Sequence, residues 1–358
     1  MAGWGLAVFR PLGPWVFRAP GPLEPGVHGP GVERGGLSYP LPSTIAGSLA
    51  QLGYLKLRGL KGAGLRGGAD FSDVREALRH LLGGDPLLRP GLLRVSGGLY
   101  AYVGGRTLPR LSDLLDTLSE LASRLSRSPP SPGSLASTYM GELVKGEGFR
   151  PARVYRTGIA LDRSSKSVVE GMIYGVEDLG FRGERGASEL VVHVRPPLSL
   201  GDPRPIKFGG EGGVAILASE GSESPSRLLV KGDGGPWAVA LITHALLDEP
   251  VDVDNASSPR RAEEVAGALL RGHGCAGHAT VLAMPKGELE PGVYMVGWSI
   301  SAGRPREPRL VIPAGTVIMV EAERRCVERV AEHGLGDHGD LGWGSIAAAS
   351  PGQQNPAG

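Results

Sequence analysis

The sequence has little cysteine, and this scarcity excludes two classes of cross-linked fold. Its 358 residues include two cysteines, Cys275 and Cys326, which form no CxxC pair. A zinc ribbon requires paired cysteines at short spacing, and a disulfide framework requires several cysteines. We therefore expect neither a zinc ribbon nor a disulfide framework.

Net charge is also nearly absent. The 38 lysines and arginines are balanced by 37 aspartates and glutamates, which leaves a formal net charge of +1. Such a chain has no overall field that attracts nucleic acid, so any RNA binding must come from local patches, glycine-lined backbone or a neighbouring subunit. The balance disfavours a free-standing nucleic-acid binder and is compatible with a subunit that shares an RNA with partners.

Long apolar runs are missing as well. No run approaches the ~20 residues that span a membrane. The first ten residues lack the basic start and the long apolar core of a signal peptide. We therefore expect a cytoplasmic protein that does not associate with membranes.

Glycine and proline, by contrast, are abundant, with 58 and 30 residues. Because apolar runs continue throughout the chain, this composition indicates many turns rather than disorder. Apolar periodicity predicts helices that begin at Ser43 and span Ser72–Leu82, Leu111–Leu125, Arg261–Leu270 and residues 324–333, and a hairpin over residues 92–103. The SPPSPGS linker at residues 128–134 precedes a strand-rich half, and this order favours an α+β protein with antiparallel sheets.

Motifs for cofactors and metals are weak. GAGLRG at residues 62–67 matches the dinucleotide fingerprint, but the preceding segment continues a helical pattern and the next helix starts later, at Ser72. HGCAGH at residues 273–278 offers three soft ligands where zinc requires four, and a glycine-rich turn with polar surface residues is the favoured interpretation. We expect no cofactor, no metal and no catalytic residue; a small-molecule dehydrogenase remains an alternative that rests on GAGLRG alone.

Basic residues gather in three clusters, which are either solvated surface or RNA contacts. The clusters comprise Lys56, Arg58, Lys61 and Arg66; Arg150, Arg153, Arg156, Arg163 and Lys166; and Arg304, Arg306 and Arg309. In the second cluster, Arg153 and Arg156 begin an apolar strand that would fix their positions. We therefore predict that Arg153, Arg156 and Lys166 contact RNA.

The glycine-rich end of the chain, residues 333–346, is a second candidate RNA contact. Its glycines, Gly334, Gly336, Gly339, Gly342 and Gly344, can adopt positive φ and approach a phosphate closely. Successive exposed N–H groups would bind an anionic backbone without lysine, and Trp343 between glycines would stack on a base. The alternative is an ordinary C-terminal turn sequence.

Five sequence blocks, in order, resemble the family of third subunits of the Cmr complex, the type III-B CRISPR effector. They are SYPLPSTIAGSLAQLG (38–53), RTGIALDRSSKSVVEGMIYGVEDL (156–179), KFGGEGGVA (207–215), RLVIPAGTVIMV (309–320) and GLGDHGDLGWGSI (334–346). Two positions depart from the family pattern. Ala19 follows Phe17-Arg18 where the family shows an aspartate, and Gly213 stands where it shows an arginine.

The resemblance implies two ferredoxin-like (RRM-like) RAMP modules with antiparallel sheets and a glycine-rich loop at the C-terminal end. We expect an N-terminal module over residues 1–140 with an insertion at about 56–133, a C-terminal module over 141–346 and a polar tail over 347–358. The RNA-binding residues would further include Arg18, Ser43, Thr44, Gly209 and Gly210, with Ser43 and Thr44 capping the first helix.

The implied function is that of a non-catalytic, RNA-binding subunit in antiviral defence. It would bind the 5′ handle of the CRISPR guide RNA and contact the large polymerase-like subunit and a backbone RAMP subunit. The alternative is a RAMP endoribonuclease that processes CRISPR transcripts, with His28 and His338 as the histidines that the fold would have to bring together.

Overall fold

The computed structural model describes most of the chain. The described residues are 3–19, 36–58, 71–127, 143–144, 146, 148–161, 164–165, 167–180, 182–183, 186–210, 212–248, 259–271, 273, 279–285, 287–296, 298–299 and 304–351. GAGLRG, His28, Lys166 and Cys275 lie outside them, as does the predicted boundary between residues 140 and 141.

Helices and strands follow one another without strict alternation, as in an α+β protein. The helices are α1 (Pro42–Arg58), α2 (Ser72–Leu82), α3 (Leu111–Arg127), α4 (Ser226–Leu229), α5 (Pro259–Leu270) and α6 (Arg324–His333). The strands are β1 (Trp4–Pro11), β2 (Leu87–Val95), β3 (Gly98–Tyr100), β4 (Leu108–Pro109), β5 (Gly148–Phe149), β6 (Ala152–Leu161), β7 (Val168–Gly180), β8 (Arg182–Gly183), β9 (Gly186–Ala187), β10 (Glu189–Arg195), β11 (Arg204–Lys207), β12 (Val214–Ser222), β13 (Val230–Lys231), β14 (Pro236–Leu241), β15 (Ala245–Leu247), β16 (Ala279–Ala283), β17 (Gly292–Met295), β18 (Trp298–Ser299), β19 (Arg304–Pro305), β20 (Pro308–Ile312), β21 (Val317–Glu321) and β22 (Ile346–Ala349).

The first sheet contains a ferredoxin-like order of strands. Its order is β11-β12-β1-β10-β2-β3, and β1 pairs antiparallel with β10 on one side and with β12 on the other. Numbered within the module, β12-β1-β10-β2 reads 4-1-3-2, the order of a βαββαβ core. Helices α1 and α2 lie in the first crossover, while β10 and β12 are joined without a helix.

The second sheet repeats this order with both crossover helices in place. Its order is β13-β22-β14-β21-β16, so that β22-β14-β21-β16 again reads 4-1-3-2, with α5 and α6 in the crossovers. The prediction of two ferredoxin-like modules with antiparallel sheets is thereby confirmed. The first sheet takes strands from both sides of the predicted boundary between residues 140 and 141, since it combines residues 4–11 and 87–100 with 189–222.

The two modules share a hydrophobic core. Val8 and Val191 of the first sheet belong to the same buried cluster as Trp237 and Ile318 of the second. The leucines of α3 recur at helical spacing, and those at 111, 114, 118 and 121 are buried in this cluster. Because each sheet covers part of the other module's apolar surface, the modules form a continuous interior.

One local expectation requires correction. The first helix begins at Pro42 rather than Ser43, because proline at the first helical position has a preset φ and lacks only an N–H that would be unpaired anyway. Cys326, in α6, is disulfide-bonded. No helix in the described residues is long and apolar enough to cross a membrane.

Two buried histidines make stability sensitive to mild acid. Burial lowers the pKa of His244 to about 3 and that of His193 to about 4. Both are therefore neutral in the fold, whereas an unfolded histidine has a pKa near ~6.5. Each histidine therefore contributes to the free energy of unfolding above that pH, and this contribution is lost as the pH falls toward the pKa of the histidine in the folded protein.

We predict that the free energy of unfolding falls between pH 7 and pH 5 by about 2 kcal/mol for each of these histidines. Urea denaturation at pH 7, 6 and 5 measures it, in a range where ordinary carboxylates stay ionised. His244→Gln should flatten the dependence, and an exposed histidine change, His80→Gln, is the matched control. An equal denaturation midpoint at pH 7 and pH 5 in the natural protein would contradict the prediction.

Candidate nucleic-acid interface

Several predicted RNA-binding residues meet where the chain leaves β1 and enters α1. We call this place the entry junction and define it as residues 15–18, 36–44 and 208–213. Arg18 forms an isolated antiparallel bridge with Gly36, and the Leu37 N–H donates to the Phe17 carbonyl at 2.8 Å. The Gly210 N–H donates to the Val16 carbonyl at 2.8 Å. The fold thus brings Arg18 and the glycines of the 207–215 block together.

The turn at residues 208–213 depends on glycine for its shape. Gly209 has φ of 79°, and a Cβ there would lie 2.8 Å from the Val16 carbonyl oxygen. A Cβ on Gly213 would lie 2.3 Å from the Phe208 carbonyl oxygen, so this turn has no room for a side chain there. The arginine that the resembled family shows at this position is therefore incompatible with this turn, while Phe208 anchors it against Phe9, with ring centroids 4.6 Å apart.

Two cationic residues, Arg18 and Lys207, belong to the segments that adjoin the turn. Arg18 is exposed, and Lys207, at the end of β11, is exposed directly before the turn. Gly212 is also exposed, whereas Gly209 and Gly210 are half-buried. Sequence reasoning did not select Lys207, although its place at the start of the KFGGEGGVA block could have identified it.

The N-terminus of α1 forms the other side of the entry junction. Ser43 and Thr44 lie in its first turn and are half-buried, and the Thr44 N–H donates to the Leu41 carbonyl at 2.9 Å. Because Pro42 is the first helical residue, the prediction that Ser43 and Thr44 cap the helix is wrong. The first turn contains no acidic residue, so the positive end of the helix dipole is not neutralised from within the helix.

Arg153 lies in the interior and is engaged by two carboxylates. Its Nη1 donates to Glu177 Oε1 at 2.6 Å and its Nη2 to Glu288 Oε1 at 2.5 Å, and its side chain is 14% exposed. Two charge-assisted bonds of this kind occupy both ends of the guanidinium. The prediction that Arg153 contacts phosphate is therefore corrected, because β6 directs this side chain toward acids rather than toward solvent.

Arg156 keeps part of its side chain at the surface. Its Nε donates to Asp178 Oδ2 at 2.5 Å, while the side chain remains 49% exposed. The neighbouring Tyr155 is 66% exposed and Val154 is 59% exposed, so both faces of this end of the β6–β7 hairpin are uncovered. An RNA contact by Arg156 stays a prediction, and Lys166 lies outside the described residues.

We define the glycine-rich segment as residues 334–345. Its backbone N–H groups donate mainly to carbonyls of the same chain. The Gly334 N–H donates to Val330, that of Gly336 to Leu269, that of Gly342 to Gly339 and that of Gly344 to His244, all at 2.7–2.9 Å between N and the carbonyl O. The prediction that these four N–H groups are free for phosphate is therefore wrong.

The glycines are required instead by close internal packing. A Cβ on Gly344 would lie 1.7 Å from the Leu335 carbonyl oxygen, and one on Gly339 would lie 2.0 Å from the His333 carbonyl oxygen. Gly342 is the exception. Its φ is 93°, and a Cβ added there would lie 3.7 Å from its nearest neighbouring atom, Pro42 Cβ. The segment thus reaches the start of α1 at Gly342, which joins it to the entry junction.

Trp343 is fully buried, with an exposed fraction of 0%. It belongs to the core cluster that contains Leu341 and the α1 residues Ile45 and Leu49. The prediction that its ring stacks on a base is corrected, because a fully buried ring is not accessible to RNA. Burial of the indole stabilises this core.

His338 is held in a neutral form by a charged network. Arg75 Nη2 lies 2.7 Å from its Nδ1, and a guanidinium can only donate, so Nδ1 accepts and the proton is on Nε2. That Nε2 then donates to Asp248 Oδ1 at 3.1 Å, while Arg75 Nε also binds Asp340 Oδ2 at 2.5 Å. Burial lowers the pKa of His338, which agrees with this neutral form.

The other candidate sites from the sequence concern a metal ion, a dinucleotide and a pair of histidines. Among the described residues, no group of three or more histidines, cysteines, aspartates and glutamates is arranged to hold a metal ion. Of HGCAGH, only His273 is described. GAGLRG and His28 lie outside the described part of the chain. The structure therefore tests neither the dinucleotide alternative nor a His28–His338 pair.

Comparisons with known proteins agree with the resemblance seen in the sequence. A family model described as CRISPR-associated protein (Cas_Cmr3) matches residues 129–351, which is more than half of the chain. A chain of the cryo-EM structure of the type III-B Cmr-beta bound to cognate target RNA and AMPPnP, state 1, superposes with a TM-score of 0.57 and 16% identity over 96% of this chain and 99% of that one. A second, bound to cognate target RNA, gives 0.55 and 18% over 95% and 96%. At these identities the likeness shows the fold. No curated protein matches.

Substitutions of the segment's glycines should separate packing from conformational freedom. Gly344→Ala should cost about 3 kcal/mol or more, because its Cβ meets a backbone carbonyl and its φ is positive. Gly342→Ala should cost about 1 kcal/mol, since only its φ of 93° is unfavourable. Gly105→Ala, which has open space and no positive φ, is the matched control and should change stability by less than about 0.5 kcal/mol. Chemical denaturation measures all three, and equal losses at 342 and 344 would refute this assignment.

Proposed function

The chain belongs to the Cas_Cmr3 family of CRISPR-associated proteins, and we propose that it is a non-catalytic RNA-binding subunit of a type III-B CRISPR complex. In this role it binds the 5′ handle of the guide RNA at the entry junction. It also docks the large polymerase-like subunit and a backbone RAMP subunit, and it acts in the cytoplasm as part of antiviral defence. The observation that carries the proposal is the convergence of Arg18, the 208–213 turn and the start of α1.

The entry junction combines three features that suit a phosphate backbone. Arg18 and Lys207 supply exposed positive charge. The first turn of α1 adds the positive end of a helix dipole, and this turn itself contains no acidic residue. The exposed Gly212 presents backbone without a side chain at the surface of the turn. These features position a phosphate backbone without reading bases, as expected for recognition of a constant RNA segment by its shape.

A shared RNA explains how a nearly neutral chain functions in this way. With a net charge of +1, the isolated chain releases few counterions on binding, so its own affinity is modest. Exposed apolar side chains, among them Tyr155 on β6 and Val293 on β17, favour contacts with neighbouring subunits. Among the described strands, the one that carries Val293 lies at the edge of its sheet, a position suited to pairing with another chain.

The arrangement of His338 supports a non-catalytic role. A general base must reach the proton that it removes, and both ring nitrogens of His338 already have partners. Its side chain is 7% exposed. The ribonuclease alternative therefore has no support from this histidine.

We predict that Arg18→Ala lowers the affinity of the chain for a CRISPR-repeat RNA about tenfold. Removing one phosphate contact should also reduce the slope of log affinity against log salt by about 0.7, the value for a single strand. Filter binding across a salt series measures both quantities. Arg227→Ala is the matched control, because this exposed arginine follows the far end of β12 and pairs with Glu223 at 3.1 Å. Equal losses in the two variants would mean that Arg18 has no specific contact.

We also predict that the purified chain leaves a repeat-containing RNA uncut, with or without divalent metal. Gel analysis of end-labelled RNA measures this, with His338→Ala as a second sample. Metal-independent cleavage that disappears in His338→Ala would support the endoribonuclease and overturn the non-catalytic assignment.

A further inference from the structure

Arg89, on β2, is a completely buried arginine that binds main-chain carbonyls of the second module. Its exposed fraction is 0%. Its Nε donates to the Glu332 carbonyl at 2.6 Å, and its Nη1 donates to the Gly339 and Leu88 carbonyls at 2.5 Å each. Two of these three acceptors belong to the end of α6 and to the glycine-rich segment, so one side chain of the first module is bonded to both.

The guanidinium of Arg89 lies at the C-terminal end of α6, and this location offsets part of the cost of burying its charge. Glu332 lies in the last turn of α6, whose final carbonyls have no partner within the helix and carry the negative end of its dipole. A guanidinium there satisfies a carbonyl that would otherwise be buried without a hydrogen bond. Burial nevertheless lowers the pKa of Arg89, while the charges of Asp340 and Glu332 act in the opposite direction.

The contacts of Arg89 continue directly to the entry junction. Next to it on β2, the Leu88 N–H donates to the Asp340 carbonyl at 2.9 Å, and Leu88 forms a parallel bridge with Leu341. The following residue, Gly342, lies against Pro42 at the start of α1. The path from Arg89 to the first turn of α1 therefore consists of three successive residues of the glycine-rich segment.

We infer that Arg89 is a positioning residue for RNA binding. It holds the glycine-rich segment against β2 and thereby fixes Gly342 beside the first turn of α1, although it is too deeply buried to touch RNA itself. This inference rests on the proposed function of the entry junction. It also gives the glycine-rich segment a part in binding that does not require its N–H groups or Trp343 to be free.

Lysine cannot replace arginine in this arrangement. The three carbonyls lie around one planar guanidinium, and a lysine has a single nitrogen at the end of a flexible chain. Arg75 also binds the segment, through Asp340, but its side chain is 26% exposed and these bonds go to the Asp340 carboxylate rather than to a main-chain carbonyl. It would therefore not restore the contacts that a lysine at position 89 loses.

The test compares Arg89→Lys with Arg94→Lys, a change in the same strand. Arg94 pairs with Glu189 and Glu220 at 2.6 and 3.0 Å and does not contact the glycine-rich segment. Hydrogen exchange of the full chain should show at least tenfold faster exchange at the amides of Leu341 and Gly342 in Arg89→Lys, with the central strands unchanged. Affinity for a CRISPR-repeat RNA should fall at least fivefold in Arg89→Lys and less than twofold in Arg94→Lys.

Each outcome decides a separate point. Failure of the natural protein to bind the RNA would remove the proposed function, while the exchange data would still decide whether Arg89 holds the segment. Unchanged exchange in Arg89→Lys would overturn the inference, and so would faster exchange with unchanged affinity, because the residue would then be structural only. Should the lysine variant not fold, Arg89→Met, which introduces no buried charge, replaces it in both measurements.

Discussion

The glycine-rich segment of the second module lies against strand β2 of the first module, and this contact connects the two modules. Here the second module adds main chain to the part of β2 that β3 does not pair with, through the Leu88–Leu341 bridge and the Arg89 hydrogen bonds. Close packing of the segment on itself leaves no room for side chains at Gly339 or Gly344. The segment's sequence is therefore set by the geometry of this join, and the entry junction receives its position from the same contact.

Charge inside the protein is mostly balanced residue by residue. Arg306 is 4% exposed and pairs with the fully buried Asp73 at 2.8 Å, and its guanidinium lies 4.4 Å from the Phe71 ring centroid. Arg309 pairs with Asp248 at 3.3 Å. Such pairs cost desolvation and add little net stability, but they are very sensitive to the loss of one partner. Some arginines of the basic clusters are thus paired with carboxylates inside the protein. Fewer cations therefore remain for RNA than the composition suggests.

Sequence reasoning succeeded where local periodicity determines the structure. The boundaries of α2 and α6 match the prediction, because their apolar residues recur at helical spacing and Gly83 and Gly334 end the helices. It failed where partners are distant in the chain. Arg153 binds Glu288, which is 135 residues away, and Trp343 is buried in a core cluster that also contains residues of α1, so neither spacing nor composition could reveal that both are internal.

The arrangement of the first sheet has a consequence for biosynthesis. Strand β1 lies between β10 and β12, and the earlier of these begins at Glu189. At ~5–20 residues per second, a ribosome needs roughly 10 to 40 s to make the intervening chain. During this time both edges of an apolar strand have no partner, and an unpaired apolar edge is prone to aggregation. The nascent chain is therefore a natural substrate for chaperones until its second half emerges.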